Sequence, residues 1–120
     1  MSKLEQLLQN IQTSPETIEF DDVINTIDGH YSYSATRFSN GIGESRVINE
    51  AGTNEGSCKI FSFAKRHSLN EAQTLNCFGK YYREDVLNNP DNSDHANIRN
   101  FMVSGWDGIK FEGVALKEKN

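Results

Sequence analysis

Leu4, Leu7, Leu8 and Ile11 recur at i, i+3, i+4 and i+7 among polar neighbours, which places one apolar stripe on a helix ending near Gln12. Ser2 and Glu5 stand ahead of it in a capping-box pattern, each able to satisfy backbone N–H groups at the helix start. Thr13-Ser14-Pro15-Glu16 repeats that logic, with Pro15 in the first turn, where its missing donor costs nothing. Phe20, Val23, Ile24, Ile27 and Tyr31 continue as a second stripe, and Gly29 offers a C-cap. The pattern predicts two antiparallel helices joined by a tight turn.

From Tyr31 the texture changes. Tyr31, Tyr33, Ala35 and Phe38 sit among Ser and Thr as in a strand, Asn40-Gly41-Ile42-Gly43 is a turn, and Arg46-Val47-Ile48 returns as a second strand. Asn49 to Gly56 is a polar, Gly-containing loop. Ser57 is placed to cap a third element running to about His67, with Ile60, Phe61 and Ala64 on one face; Phe63 in the same run leaves a buried strand open. Ser68 and Glu71 form another capping box, ahead of a helix carrying Ala72, Leu75, Phe78 or Gly79, Tyr82 and Val86. Asn88-Asn89-Pro90-Asp91 ends that helix, because Pro disfavours helical geometry in the residue before it. Asp94 is positioned to cap a short helix with Ile98, Phe101 and Met102 inward, closed by Gly105. Residues 109–115 alternate as a final strand, and the charged tail 117–120 is expected to fray. The sum is an α+β fold, mainly helical: about five helices packed with a small antiparallel sheet, in a single domain spanning 1–116.

Composition sharpens this picture. A hydrophobic fraction of 36% and a mean hydropathy of −0.64 would suit a chain with little core, but seven Phe, four Tyr and one Trp restore it through their large buried areas. At 120 residues the chain has the size of one domain. Twelve basic against seventeen acidic residues give a net charge of −5, without the basic face that phosphate backbones or anionic membrane surfaces require. The densest basic stretch, Lys65-Arg66-His67, reads as a solvated helix face. Cys58 and Cys77 lie in apolar runs behind an N-terminus without signal-peptide architecture, so reduced, buried thiols in a cytoplasmic protein are expected. No apolar run is long enough to span a bilayer.

Candidate chemistry centres on Cys58. A Gly-containing loop leading into Gly56-Ser57-Cys58 at a helix N-terminus would stabilise a thiolate, with His95 (or, more weakly, His67) as base and Asn49 orienting the imidazole. The competing reading makes Cys58 a small core hydrophobe beside Ile60 and Phe61. The same loop, Gly52 to Ser57, could hold a phosphate or carboxylate on its amides, with Lys59 or Arg99 adding charge. Asp85, Asp91, Asp94 and His95 cluster in sequence, but their spacing matches neither an EF-hand nor a zinc motif, so no metal and no cofactor are expected. Trp106, between Gly105 and Gly108, either closes the last helix onto the final strand or, if exposed, marks a partner surface. Tyr81 and Tyr82 point to different helix faces, leaving one of them available to a partner.

Three stretches carry a resemblance. They are Thr13-Ser14-Pro15-Glu16-Thr17-Ile18-Glu19-Phe20; Asn49-Glu50-Ala51-Gly52 with Gly56-Ser57-Cys58-Lys59-Ile60-Phe61; and Cys77 through Gly113, including Tyr81-Tyr82-Arg83-Glu84-Asp85-Val86-Leu87-Asn88-Asn89-Pro90 and Asn97-Ile98-Arg99-Asn100-Phe101-Met102. Together they resemble the HopJ family of type III secretion effectors. The resemblance implies a bacterial protein made in the cytoplasm and open to export into a host cell, with no catalytic motif to carry over. A capped helix at the second or third residue, in place of an unfolded Ser-rich start, argues against export here. The leading expectation is a HopJ-like effector or interaction protein without catalysis, with a protein partner and neither nucleic acid nor membrane. The alternatives are a small thiol-dependent hydrolase using Cys58 and His95, and an anion-binding module on the Gly52–Ser57 loop.

Overall fold

The structure is a computed structural model and describes residues 2–119. Helix α1 (Lys3–Thr13) starts as its sequence predicts: the Ser2 hydroxyl accepts from the Glu5 amide at 3.1 Å, and Leu7 and Ile11 are buried. The second helix does not start at the Pro15 capping box. Pro15–Thr17 is a single 3-10 turn closed by the Thr17 hydroxyl on the Ser14 carbonyl at 2.7 Å. Ile18 then runs extended to reach the core, and α2 (Phe20–His30) begins only beyond it. Gly29 lies inside α2 rather than capping it, because Tyr31 passes straight from the helix end into a strand.

The strands are β1 (Tyr31–Tyr33), β2 (Phe38–Asn40), β3 (Val47–Asn49), β4 (Lys110–Phe111) and β5 (Leu116–Glu118). The predicted hairpin is present only in its second half, as β2 against β3, with Phe38 opposite Asn49. β1 pairs instead with β5, Tyr31 opposite Glu118, and β2 takes β4 on its other side. The expected strands at 31–38 and 109–115 each break, and the breaks face one another. Across the gap the Ser34 amide donates to the Ala115 carbonyl at 2.8 Å and the Glu112 amide to the Arg37 carbonyl at 3.0 Å. Residues 31–40 and 110–118 therefore form one antiparallel ribbon bent in its middle. Lys117 and Glu118 belong to it, so this part of the tail is a strand rather than frayed chain.

The remaining helices are α3 (Glu55–Arg66), α4 (Glu71–Asn76) and α5 (Ala96–Ser104), with a π-helical turn at Tyr81–Val86. The capping box of α4 is Asn70 with Gln73, not Ser68 with Glu71; Ser68 takes a left-handed conformation that ends α3. The long helix expected behind it breaks at Gly79. There φ is +59°, and a Cβ would stand 2.7 Å from the Phe20 amide nitrogen. Backbone meets backbone at that point, and only glycine allows it. Asp94 does not cap α5; His95, left-handed, occupies that position, while Asp94 pairs with Arg99 at 2.8 Å. Met102 turns outward, and Gly105 ends α5 as its sequence suggested. At the centre the buried Phe61 ring meets Phe38, Phe78 and Phe101 at centroid distances of 6.0, 5.4 and 5.0 Å. The class is α+β and mainly helical, with two small antiparallel sheets.

Candidate functional site

A ring of carboxamides, buried at Asn40, Asn49 and Asn97 and exposed at Asn54, fixes where two helices begin. Asn49 Oδ1 accepts from Asn54 Nδ2 at 2.7 Å and from Asn97 Nδ2 at 2.9 Å. Asn97 Oδ1 in turn accepts from Asn49 Nδ2 at 3.1 Å and Asn40 Nδ2 at 3.0 Å. β2, β3, the start of α3 and the start of α5 are thus joined through side chains of which Asn40, Asn49 and Asn97 are shut off from water, where each satisfied bond is costly to lose, while Asn54 closes the ring from the exposed side.

Asn54 and His95 are the N-cap residues of α3 and α5, and both are left-handed, with φ of 49° and 52°. Asn tolerates that conformation better than most residues, and His is enriched there too. Neither side chain caps its own helix: Asn54 is engaged by Asn49, and His95 Nε2 lies 3.2 Å from Asp85 Oδ2. Among the described residues the first-turn amides of Gly56, Ser57, Asn97 and Ile98 find no protein acceptor. Both helix starts line one cleft of about 490 Å³, together with Phe20, Phe78 and Tyr81. Tyr81 stands on its rim, 44% exposed, edge-on to Phe20 at 5.0 Å and tilted against His95 at 5.4 Å. Helix starts carry partial positive charge, so the cleft suits hydrogen-bond acceptors beside an aromatic wall.

Cys58 is elsewhere. α3 starts at Glu55, not at Ser57, so Cys58 sits a full turn inside the helix with its amide already bonded to the Asn54 carbonyl at 3.0 Å. Its side chain is buried, the thiol points to the Thr36 carbonyl at 3.7 Å, and burial pushes its pKa up. The expected thiolate at a helix N-terminus has neither free amides nor a low pKa. Cys58 does not line the cleft that contains His95, and His67 is held by the Tyr31 hydroxyl at 2.7 Å. Asn49 serves the carboxamide ring.

The residues considered for an anion are likewise divided. Gly56 and Ser57 line the cleft, while Gly52 lies exposed in the preceding turn. Lys59 is committed to Asp28 at 2.8 Å and lies over the Tyr33 ring, and Arg99 is committed to Asp94 and to the Pro90 carbonyl. Trp106 is half-buried, donates from Nε1 to the Leu69 carbonyl at 3.0 Å and packs on Phe61 and Phe101, which makes it a closing aromatic of the core. Among the described residues no group of three His, Cys, Asp or Glu is arranged to hold a metal ion, and no helix is long and apolar enough to cross a membrane. Sequence reasoning missed Asn54, Asn97 and Phe20 as site residues. The one available signal was the abundance of Asn beside the loop and in the Asn97-Ile98-Arg99-Asn100 stretch.

The fold and these motifs belong together in a known class: the chain matches the family described as HopJ type III effector protein over residues 4–116, and is a member of the HopJ family. It is also similar, at 48% identity, to the crystal structure of a protein of unknown function, VPA0580. That likeness has a TM-score of 0.93 and covers 99% of this chain and 95% of the other. No curated protein matches the chain.

Proposed function

We propose that this HopJ-family chain acts by binding a partner protein, without catalysis of its own, and that the partner enters the cleft between the starts of α3 and α5. The observation that carries this reading is Tyr81: a large amphipathic ring, nearly half exposed, yet held in place by Phe20 and His95. Rigid exposed Tyr at the edge of a pocket supplies contact area at little entropic cost, which is why such residues dominate binding energy. The unpaired amides of Gly56, Ser57, Asn97 and Ile98 add donors for backbone carbonyl or carboxylate oxygens of the partner. The family's effector description supports a role exerted on another protein.

The test places a photo-crosslinking phenylalanine derivative at position 81 and, separately, at the exposed Val103, in bacterial and host-cell extracts. The expected result is a protein captured from position 81 and not from 103, which then binds the purified chain and is lost by Tyr81→Ala. A captured protein that binds Tyr81→Ala as well as wild type would refute the cleft.

A further inference from the structure

We propose that Asn40-Gly41 is a latent modification site that the fold keeps closed: a chain left unfolded deamidates there and cannot return to the native structure. It is the one Asn-Gly pair in the sequence. Glycine has no side chain to hinder its own amide nitrogen, and its free backbone lets that nitrogen approach the carboxamide before it. Once its proton passes to water or hydroxide, the Gly41 nitrogen bonds to Asn40 Cγ. The Cγ–Nδ2 bond then breaks and ammonia leaves, closing a five-membered imide. Water opens the imide at either carbonyl, giving an aspartate at position 40 or an isoaspartyl link through the side chain. The net change is water consumed, ammonia released, and a carboxylate where a carboxamide stood.

The fold holds every group that this step must move. Asn40 and Gly41 are both buried, away from the water that takes the proton and opens the imide. The Gly41 N–H donates to the Gly108 carbonyl at 3.0 Å. Gly108 lies so close that a Cβ there would stand 2.8 Å from the Gly41 nitrogen. The leaving group, Asn40 Nδ2, donates to the Asn97 carbonyl at 2.8 Å and to Asn97 Oδ1 at 3.0 Å. The Asn40 carbonyl accepts from Asn100 Nδ2 at 3.2 Å, which keeps the peptide unit from turning toward the side chain. Attack therefore requires β2 to open first.

The same contacts exclude the product. A backbone carbonyl only accepts, so the contact with Asn97 fixes which end of the Asn40 carboxamide is Nδ2. After conversion, an oxygen at that place faces two acceptors. The other oxygen takes the place of Oδ1, which is buried without a donor among the described residues. A buried carboxylate with no donor is strongly unfavourable. The isoaspartyl form also lengthens the backbone by one carbon and shifts β2 against β3 and β4. These consequences follow from the carboxamide ring and do not depend on what enters the Tyr81 cleft.

The test incubates the full chain at neutral pH in buffer and, in parallel, in guanidinium chloride, and follows the peptide containing residue 40 by mass spectrometry. Asp28-Gly29 and Asp107-Gly108 rearrange without a change of mass, so the mass gain reads asparagine alone. The unfolded chain is expected to convert first at position 40, and the native chain at least about tenfold more slowly. Converted chains returned to buffer are expected to fall below the wild-type urea midpoint. Asn40→Asp should show the same loss, shrinking as pH falls, because a protonated carboxyl regains one donor. The mass measurement on wild type stands whether or not that variant folds. The inference is overturned by equal rates in buffer and denaturant, by faster conversion at another asparagine of the unfolded chain, or by converted chains that refold to the wild-type midpoint.

Discussion

The Arg83 guanidinium reaches back across the molecule to donate to the carbonyl of Ile18. It also donates to the Pro15 carbonyl at 3.4 Å and to the carbonyl and side-chain oxygen of Asn76 at 3.3 and 3.2 Å, and forms no ion pair with any carboxylate among the described residues. One half-buried cation thus fastens the turn before α2 to the end of α4, while its own π-helical turn carries Tyr81. Arg83→Leu keeps much of the side-chain volume and strands several carbonyls. It is expected to cost about 1–3 kcal/mol in urea unfolding, with Tyr81 more mobile in the folded protein. An unchanged unfolding midpoint would show that water replaces the guanidinium at no loss.

Two glycines give effects of opposite sign. Gly79→Ala combines a left-handed φ with a Cβ 2.7 Å from the Phe20 nitrogen, and backbone cannot swing aside as a side chain can. A destabilisation of about 3 kcal/mol is expected. Gly29→Ala meets no atom within 4 Å and lies inside α2, so helix propensity predicts a gain of about 0.5–1 kcal/mol. Thermal unfolding of the two variants beside wild type reads both.

Both thiols are core groups. Burial raises the pKa of Cys58 and pushes that of Cys77 up to about 12. Iodoacetamide at neutral pH is expected to label neither until denaturant is added. Cys58→Ser, which leaves Cys77, assigns any residual reaction. Rapid native labelling of Cys58 with an apparent pKa below 8 would restore the hydrolase reading.

His67 gives the fold a pH dependence. Burial, chiefly, and the neighbouring Arg66 charge hold its pKa below the ordinary 6.5. Below pH 6.5 the unfolded chain takes up the proton before the folded one does, so the contribution of neutral His67 is complete above 6.5 and is lost as pH falls through the folded value. Urea midpoints at pH 7.5 and pH 5.5 should therefore differ more in wild type than in His67→Gln. Equal differences in the two proteins would place the pH dependence elsewhere.

The helical stripes were legible because periodicity is a local property: Leu7 and Ile11, and Val23 and Ile27, face the core as their spacing says. What escaped was set by distant chain. β1 pairs with β5 rather than with its neighbour, and Gly79 breaks a helix because the backbone of Glu19 and Phe20 lies against it. Of the two readings of Cys58, the buried core thiol matches the structure, and the thiolate at a helix start depended on a small boundary. Asn54, left-handed, starts α3 before Ser57, and that shift turns a thiol at a helix end into a thiol inside the core. The cleft itself needed the carboxamide ring, in which Asn40, Asn49 and Asn54 lie near one another but close on the distant Asn97, with no periodic signature.

The bent ribbon has a consequence for the order of folding. Tyr31, a core residue, finds its strand partner only at Glu118, so the first strand waits on the last. Contacts this distant in sequence close late and slowly. During synthesis α1 and α2 can form, but the edge of the Tyr31–Tyr33 strand stays open until almost the whole of the described chain has emerged. Until then the molecule is an unfinished sheet, exposed to anything that binds open strands.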